Sequence, residues 1–215
     1  MKSTLYLKFI FIYIIFGFLS LFTAATLTEN LVRTPIFNRV SNSMYREATM
    51  VATSYLPGYF SGELQESDTQ MILSGIETQL DAAVWFVSRD GNMIASAHSS
   101  EYPSAPDTIK DFDPAESGSD RSQTGDYHGY FDSDVITVTV PVTYGYFPKG
   151  YLMIHQYTTV VDTMTDILMR GVYITFIVIF LLSFIILLAF HFLVYRPLHK
   201  ITEAATQYAS GNLEY

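Results

Sequence analysis

The stretch that decides the fold reads WFVSRDGNMI and covers Trp85–Ile94. It lies across two short apolar runs, Ala82–Val87 and Met93–Ala97, which are separated by a polar turn with Asp90-Gly91. Short runs rich in β-branched and aromatic residues favour buried strands. An Asp-Gly pair between two such runs favours a tight β-hairpin. We therefore predict two antiparallel strands here.

A second pair of strands is predicted on the C-terminal side of this hairpin. Val135–Val142 alternates valine with threonine, and Tyr151–His155 is a further run of strand-forming residues. Gly145 and Pro148-Lys149-Gly150 supply the turn between them. Gly129–Phe131 is predicted as a short edge strand. Together these strands predict an antiparallel sheet.

Helices are predicted before and after these strands. Residues 28–56 form one helix with an apolar stripe at spacings of three and four, and Pro57-Gly58 ends it. The stripe can pack on its own domain or on a second copy of the chain. Its members are Ile36, Val40, Met44, Ala48, Val51 and Tyr55.

A second helix is predicted over Ser67–Leu80, with Ser67 or Asp68 as its N-cap, and a third over Thr158–Arg170. The order helix, helix, hairpin, irregular segment, hairpin, helix predicts an α+β domain with helices on one face of the sheet. The predicted buried face of the second helix is Met71, Ile72, Gly75, Ile76 and Leu80.

Two apolar runs bracket this domain. One histidine is the only acidic or basic residue in them. Phe9–Leu27 has 19 residues, and Gly171–Tyr195 has 25. A helix of about 20 apolar residues crosses the hydrocarbon core of a membrane, so both runs are predicted to be transmembrane helices. The alternative for the first run is a cleaved signal peptide. Because the run is longer than a usual signal core, we predict a retained anchor.

The charges around the two runs predict their topology. Thr28–Arg170 holds 19 of the 21 acidic and 8 of the 12 basic residues and carries a net charge of -11. Basic residues lie before the first run and after the second run. The positive-inside rule places these flanks in the cytoplasm. The acidic domain excludes a basic footprint for nucleic acid. The predicted layout in the cell membrane is 1–8 cytoplasmic, 9–27 transmembrane, 28–170 extracytoplasmic, 171–195 transmembrane and 196–215 cytoplasmic.

The residues after the second run have the features of a coiled-coil helix. Pro197 fits the first turn of a helix, where no amide donor is needed, and Gly211 can end that helix. Between them, apolar residues step by three, four and three, which is the spacing of a coiled-coil seam. These residues are Leu198, Ile201, Ala205 and Tyr208.

Residues 196–215 resemble the first helix of a HAMP linker. That family shows P-L-x-x-I-T-x-A followed by A-x-G-[DN]-[LFY], and both patterns are present, as Pro197–Ala204 and Ala209–Leu213. The resemblance implies a homodimer in which the seam and Pro197 relay a signal. The second helix of the linker is absent, so we expect the sequence to be a fragment of a longer receptor.

The order of the elements, with Trp85–Ile94 as its most recognisable part, resembles the extracytoplasmic PAS-like sensor domains of the single Cache type. Receptors of this layout resemble bacterial sensor histidine kinases. That resemblance implies ATP for a kinase domain outside this chain, a cytoplasmic response regulator as a partner, and a dimer contact for the stripe of residues 28–56. The alternatives are a chemoreceptor, a nucleotide-cyclase receptor, or a membrane-anchored binding module without signalling.

The chain itself carries no catalytic motif. No P-loop, H-E-x-x-H or G-x-S-x-G pattern occurs, and His199 lacks the Glu-x-x-x-Pro that follows a phosphoacceptor histidine. The absence of cysteine excludes disulfides and thiolate metal sites. We expect this segment to be non-catalytic and to need no cofactor.

The candidate ligand site is a pocket on the sheet face with aromatic walls and a few polar anchors. The ligand would be a small molecule, a peptide or an ion, and the alternative is an ordinary polar sheet surface. The acidic run Asp107–Asp134 can in principle hold a divalent cation. Its serine, glycine and proline content favours a solvated loop, so no metal site is predicted. The candidate ligand-binding residues are His98, Tyr127, His128, Tyr130 and Phe131.

Overall fold

An antiparallel sheet of five strands forms the middle of the unit Glu29–Asp166. The structure, a computed structural model, describes residues 4–26, 29–114 and 121–209. The strands are β1 Ala83–Ser88, β2 Met93–Ala97, β3 Gln123–Gly125, β4 Val135–Tyr144 and β5 Phe147–Tyr157. They lie in the order β2-β1-β5-β4-β3, and both predicted hairpins and the α+β class are confirmed. The predicted turn at Pro148-Lys149-Gly150 is wrong, because these residues belong to β5 and pair with β4.

The predicted edge strand at Gly129–Phe131 is wrong. The edge strand is β3, which pairs Gln123 with Thr137 of β4. Tyr127 and His128 have φ angles of 43° and 58°, and that of Gly129 is 76°. A strand needs negative φ throughout, so this segment forms a turn and not a strand.

Six α-helices and two π-helical turns, Glu29–Arg33 and His191–Tyr195, make up the helical part of the described chain. The predicted helix 28–56 is therefore divided: Thr28 lies outside the described residues, a π-helical turn comes first, and Pro57 starts a new short helix. Proline fits that first position because its missing amide is not needed there. The helices are α1 Thr4–Thr26, α2 Thr34–Ser54, α3 Pro57–Ser61, α4 Glu66–Leu80, α5 Thr159–Phe190 and α6 Arg196–Ala209.

The apolar stripe of α2 packs on the sheet of its own domain. Met44, Ala48 and Val51 are buried in one cluster with Val138 and Ile154 of the strands, and α4 lies beside α2 on the same face, against β2 and β1. Of the two alternatives for this stripe, packing on its own domain is therefore observed. Tyr55 at the end of the stripe is 50% exposed, and a dimer contact stays a prediction.

The start and the buried face of α4 differ from prediction. Gln65, not Ser67 or Asp68, is the N-cap. Its main-chain N–H donates a hydrogen bond to the Asp68 carboxylate at 3.2 Å. Met71 is 74% exposed, whereas Thr69 is fully buried. The Thr69 hydroxyl donates to the main-chain oxygen of Gln65. Since that bond satisfies its polar atom, threonine can occupy the inner face.

The second unit comprises Met1–Thr28 and Ile167–Tyr215. By length and composition, two of its helical segments are able to cross a membrane: Lys8–Thr26, and a window within Thr159–Thr206. Their apolar side chains are almost all exposed. Such segments suit a lipid environment, so a location in a membrane agrees with the fold.

The two apolar helices touch each other through one close contact. Gly17 of α1 is buried against the ring of Phe180 of α5. The ring of Tyr13 stacks on that of Phe180 with centroids 4.7 Å apart. The Tyr13 hydroxyl donates to the Phe180 main-chain oxygen at 2.6 Å. Glycine in this position permits the approach, as small residues do between helices in membranes.

Candidate ligand-binding face of the sheet

The two faces of the sheet are covered by different parts of the chain. Side chains alternate along each strand, so Val84 and Phe86 face the helices while Trp85 and Val87 face the other way. We call the second side the loop face. Its cover comes from the segments before residue 115 and after residue 120. The residues of this loop-face core are Ala83, Trp85, Val87, Tyr102, Ile109, Tyr127, Phe131, Val135 and Met153.

The loop face is organised around the indole of Trp85. Phe131 stacks on it with centroids 5.5 Å apart. Tyr127 and Tyr130 each meet it edge-on at 5.9 Å. The ring of His155 lies at 4.3 Å. Trp85 is fully buried, so these rings form a closed aromatic cluster.

A polar pair from two strands lies inside this cluster. Thr137 of β4 and His155 of β5 are direct cross-strand partners, and Thr137 Oγ1 is 2.8 Å from His155 Nδ1. Both side chains are buried. Burial lowers the pKa of His155 to about 3, because the charged imidazolium would lose its hydration. The imidazole is therefore neutral.

Two buried nitrogens of the loop face lack hydrogen-bond partners among the described residues. They are Nε1 of Trp85 and Nε2 of His155. Buried polar groups in proteins are nearly always paired with protein or water, and exceptions often mark sites of function.

A cavity of about 170 Å³ opens beside the cluster, along the edge strand. Thr137 belongs both to its wall and to the pair with His155. The cavity therefore leads from the edge of the sheet to the polar part of the loop face. Its lining is Gln123, Thr124, Gly125, Asp126, Tyr127, His128 and Thr137.

Tyr102 holds the loop that follows β2 against the loop face. Its hydroxyl donates to the main-chain oxygen of Asp81 at 2.7 Å, and its ring stacks on Tyr157 at 4.6 Å. Burial raises the pKa of Tyr102 to about 12 and also raises the pKa of Tyr157. Both phenols stay neutral near pH 7.

The structure places four of the five candidate ligand-binding residues together. Tyr127 and Phe131 are buried in the cluster, Tyr130 lies at its edge, and His128 is exposed at the cavity wall. His98 follows β2, is exposed, and lies near its neighbour Ser99, with Nδ1 3.1 Å from the Ser99 main-chain oxygen. The site built here therefore does not include His98.

Sequence reasoning missed Trp85, Thr137 and His155 as site residues. All three were predicted as strand residues, which is correct. One signal was available in the sequence. The lone tryptophan, this threonine and this histidine all stand at odd-numbered positions of their predicted strands. Odd positions in β1, β4 and β5 share a face only in the register that the structure shows.

The predicted relay helix corresponds to α6. Leu198 and Ile201 are exposed on it, and Ala205 is exposed as well. The side chain of Tyr208 and the residues Gly211, Asn212 and Leu213 lie outside the described part. The list of relay residues therefore stays a prediction.

The acidic run does not gather into a metal site within the described residues. No three His, Asp or Glu side chains come together there, and Glu116 and Asp120 of the run lie outside the described residues.

No protein-family model matches the chain, and no curated protein matches it. Among solved structures, the sensor domain of the V. cholerae histidine kinase DctB is similar, with a TM-score of 0.41 and 15% sequence identity over 66% of this chain. The chain spans 59% of the length of that sensor domain.

Proposed function

We propose that this chain is the sensory and membrane-spanning part of a bacterial two-component sensor histidine kinase. In this proposal the unit Glu29–Asp166 lies outside the cell and both termini lie in the cytoplasm. α6 is the first helix of a HAMP linker in a homodimer. An ATP-dependent kinase domain and a response regulator act downstream, outside this chain.

The proposal is supported by the direct connection of the candidate site, through strand β5, to helix α5. His155 and Tyr157 of the loop face belong to β5, and α5 begins at Thr159, two residues after the strand ends. The same helix continues into the second apolar segment. A ligand that changes the position of β5 thereby acts on the start of the helix that is proposed to enter the membrane. The energy for the switch comes from unequal affinity of the ligand for two states.

The topology can be tested with single cysteines, because the natural chain has none. We expect a membrane-impermeant maleimide to label Tyr146→Cys in intact cells, since Tyr146 is 97% exposed at the tip of the β4–β5 hairpin. Thr206→Cys in α6 should be labelled only after lysis. Equal labelling of both variants in intact cells would rule out the proposed topology.

Signalling can be tested by fusing α6 in frame to the remainder of a HAMP-containing kinase and measuring autophosphorylation. Ile201→Asp on the predicted seam should lock or abolish output, because a charge in a coiled-coil seam must be desolvated. Thr206→Asp, on another face of α6, is the matched control and should signal normally. Normal output from Ile201→Asp would remove the seam assignment and leave a simple membrane anchor.

A further inference from the structure

The loop face has two buried nitrogens without a hydrogen-bond partner among the described residues. An indole N–H can only donate, so Nε1 of Trp85 needs an acceptor in its surroundings. Nε2 of His155 is a donor or an acceptor, depending on whether Nδ1 accepts from or donates to Thr137. Both atoms lie within one cluster of rings, with centroids 4.3 Å apart. A bound molecule with an acceptor atom would satisfy this unusual pair.

The described lining of the cavity lacks a lysine or arginine that would pair with an anionic ligand. The cavity lining contains Asp126 and no lysine or arginine among the described residues. Arg121, just before the edge strand, instead places its guanidinium 5.1 Å from the ring centre of Tyr45 on α2. The buried imidazole of His155 is neutral. A carboxylate or phosphate would thus lose its hydration without gaining an ion pair.

The cover of the site is held in a strained backbone conformation. Tyr127 and His128 both have positive φ, which residues with a Cβ rarely adopt. Strain of this kind persists where contacts hold it and is frequent at ligand clamps and switches. The Tyr127 ring lines the cavity, and its centroid is 5.9 Å from that of Trp85 and 4.7 Å from that of His155. Movement of this ring is the step by which a ligand would reach the two nitrogens.

From these observations we infer that the loop face binds an uncharged, flat molecule of about one ring, which offers an oxygen or nitrogen acceptor to Trp85. Aromatic amides and neutral heteroaromatic compounds have this chemistry. The aromatic walls supply stacking, the Thr137–His155 pair supplies polar specificity, and the cavity limits the size. This inference rests on the proposed sensory function and specifies its ligand.

Trp85 provides the readout, because it is the single tryptophan of the chain. The full chain in lipid nanodiscs is titrated near neutral pH with benzamide and with benzoate, which have the same shape and differ in charge. We expect benzamide to change the tryptophan emission saturably, with a dissociation constant at least about tenfold lower than that of benzoate. Equal or tighter binding of benzoate, or no response to either probe at millimolar concentration, would overturn the inference.

Two variants locate the binding site by calorimetry. Thr137→Val removes the hydroxyl partner of His155 and should weaken benzamide binding severalfold, and Trp85→Phe should do the same. Thr139→Val, two residues along the same strand, is the matched control and should bind as the natural chain does. Unchanged affinity in Thr137→Val and Trp85→Phe would place the probe elsewhere and reject the site.

The two proposals fail in different ways. Preferential binding of benzoate, together with normal topology and output of the fusion, rejects only the ligand class. Failure of the cysteine-labelling test rejects the sensory receptor, whatever the fluorescence shows.

Discussion

Arg33 Nε donates a hydrogen bond to Oδ1 of Asp162 at 3.1 Å. The pair joins the π-helical turn before α2 to the first turn of α5. These are the two ends of the unit Glu29–Asp166, next to the two apolar segments of the chain. The side chains are 38% and 52% exposed, so the pair contributes little to stability, about 0–1 kcal/mol. The contact links the two helix ends.

We therefore predict that Asp162→Asn changes signalling more than stability. The melting temperature should stay almost unchanged, while the basal output of the kinase fusion should shift, because the two helix ends are no longer tied. Exchange of the charges in Arg33→Asp/Asp162→Arg should restore output in part. Asp166→Asn, one turn further along α5, is the control. Equal basal output in all four proteins would show that the pair has no role in coupling.

From the position of Gly17 we predict that a larger side chain there cannot fit between the two apolar helices. A Cβ at this position would come within 2.3 Å of Phe180 Cε2, so Gly17→Leu should push α1 and α5 apart. Disulfide formation between Phe18→Cys and Ile177→Cys, which line the same apolar cavity, should slow severalfold. Gly171→Leu is the control, since nothing lies within 4 Å of that Cβ. A crosslinking rate unaffected by Gly17→Leu would contradict this packing.

From the burial of His155 we predict a specific pH dependence of the free energy of unfolding. Its folded-state pKa is about 3, below its ordinary value, so the unfolded chain takes up the proton first as the pH falls. Stability should therefore decline from about pH 6.5 towards pH 3, with a slope from this group of up to ~1.4 kcal/mol per pH unit. Chemical unfolding in detergent micelles at several pH values measures it.

The contribution of His155 is isolated by substitution. His155→Gln keeps a polar partner for Thr137 but does not titrate, so its stability should fall less steeply in acid. Thr139→Val, which changes no titratable group, should keep the natural slope. Identical slopes in His155→Gln and the natural chain would show that protonation of His155 is not linked to folding.

Two glycines predict stability changes of opposite sign. A Cβ on Gly150 would lie 2.5 Å from the main-chain oxygen of Val87, which is fixed in the sheet, so Gly150→Ala should destabilise by roughly 1–3 kcal/mol. Gly75 lies within α4 with open space around it. Gly75→Ala should stabilise by roughly 0.5–1 kcal/mol. Thermal unfolding of both variants tests the signs, and a stabilising Gly150→Ala would contradict the close approach of β5 to β1.

Much of the fold was predictable because its signals are local. Asp90-Gly91 between two apolar runs predicted the first hairpin, and the alternation in Val135–Val142 predicted β4. The lengths of Phe9–Leu27 and Gly171–Tyr195 predicted the two long apolar helices. Each of these signals depends on the backbone preferences or the hydrophobicity of neighbouring residues, so no distant contact was needed to interpret it.

The sequence by itself thus determined the strands of both hairpins, the helices around them and the two apolar segments. Only the tertiary structure decided that Tyr127–Gly129 turns with positive φ, that Thr69 faces inward, and that the α2 stripe is covered by its own sheet. It also brought Trp85 beside His155, seventy positions along the chain. The physical reason is that strand register and burial arise from contacts between distant segments, which no local pattern specifies.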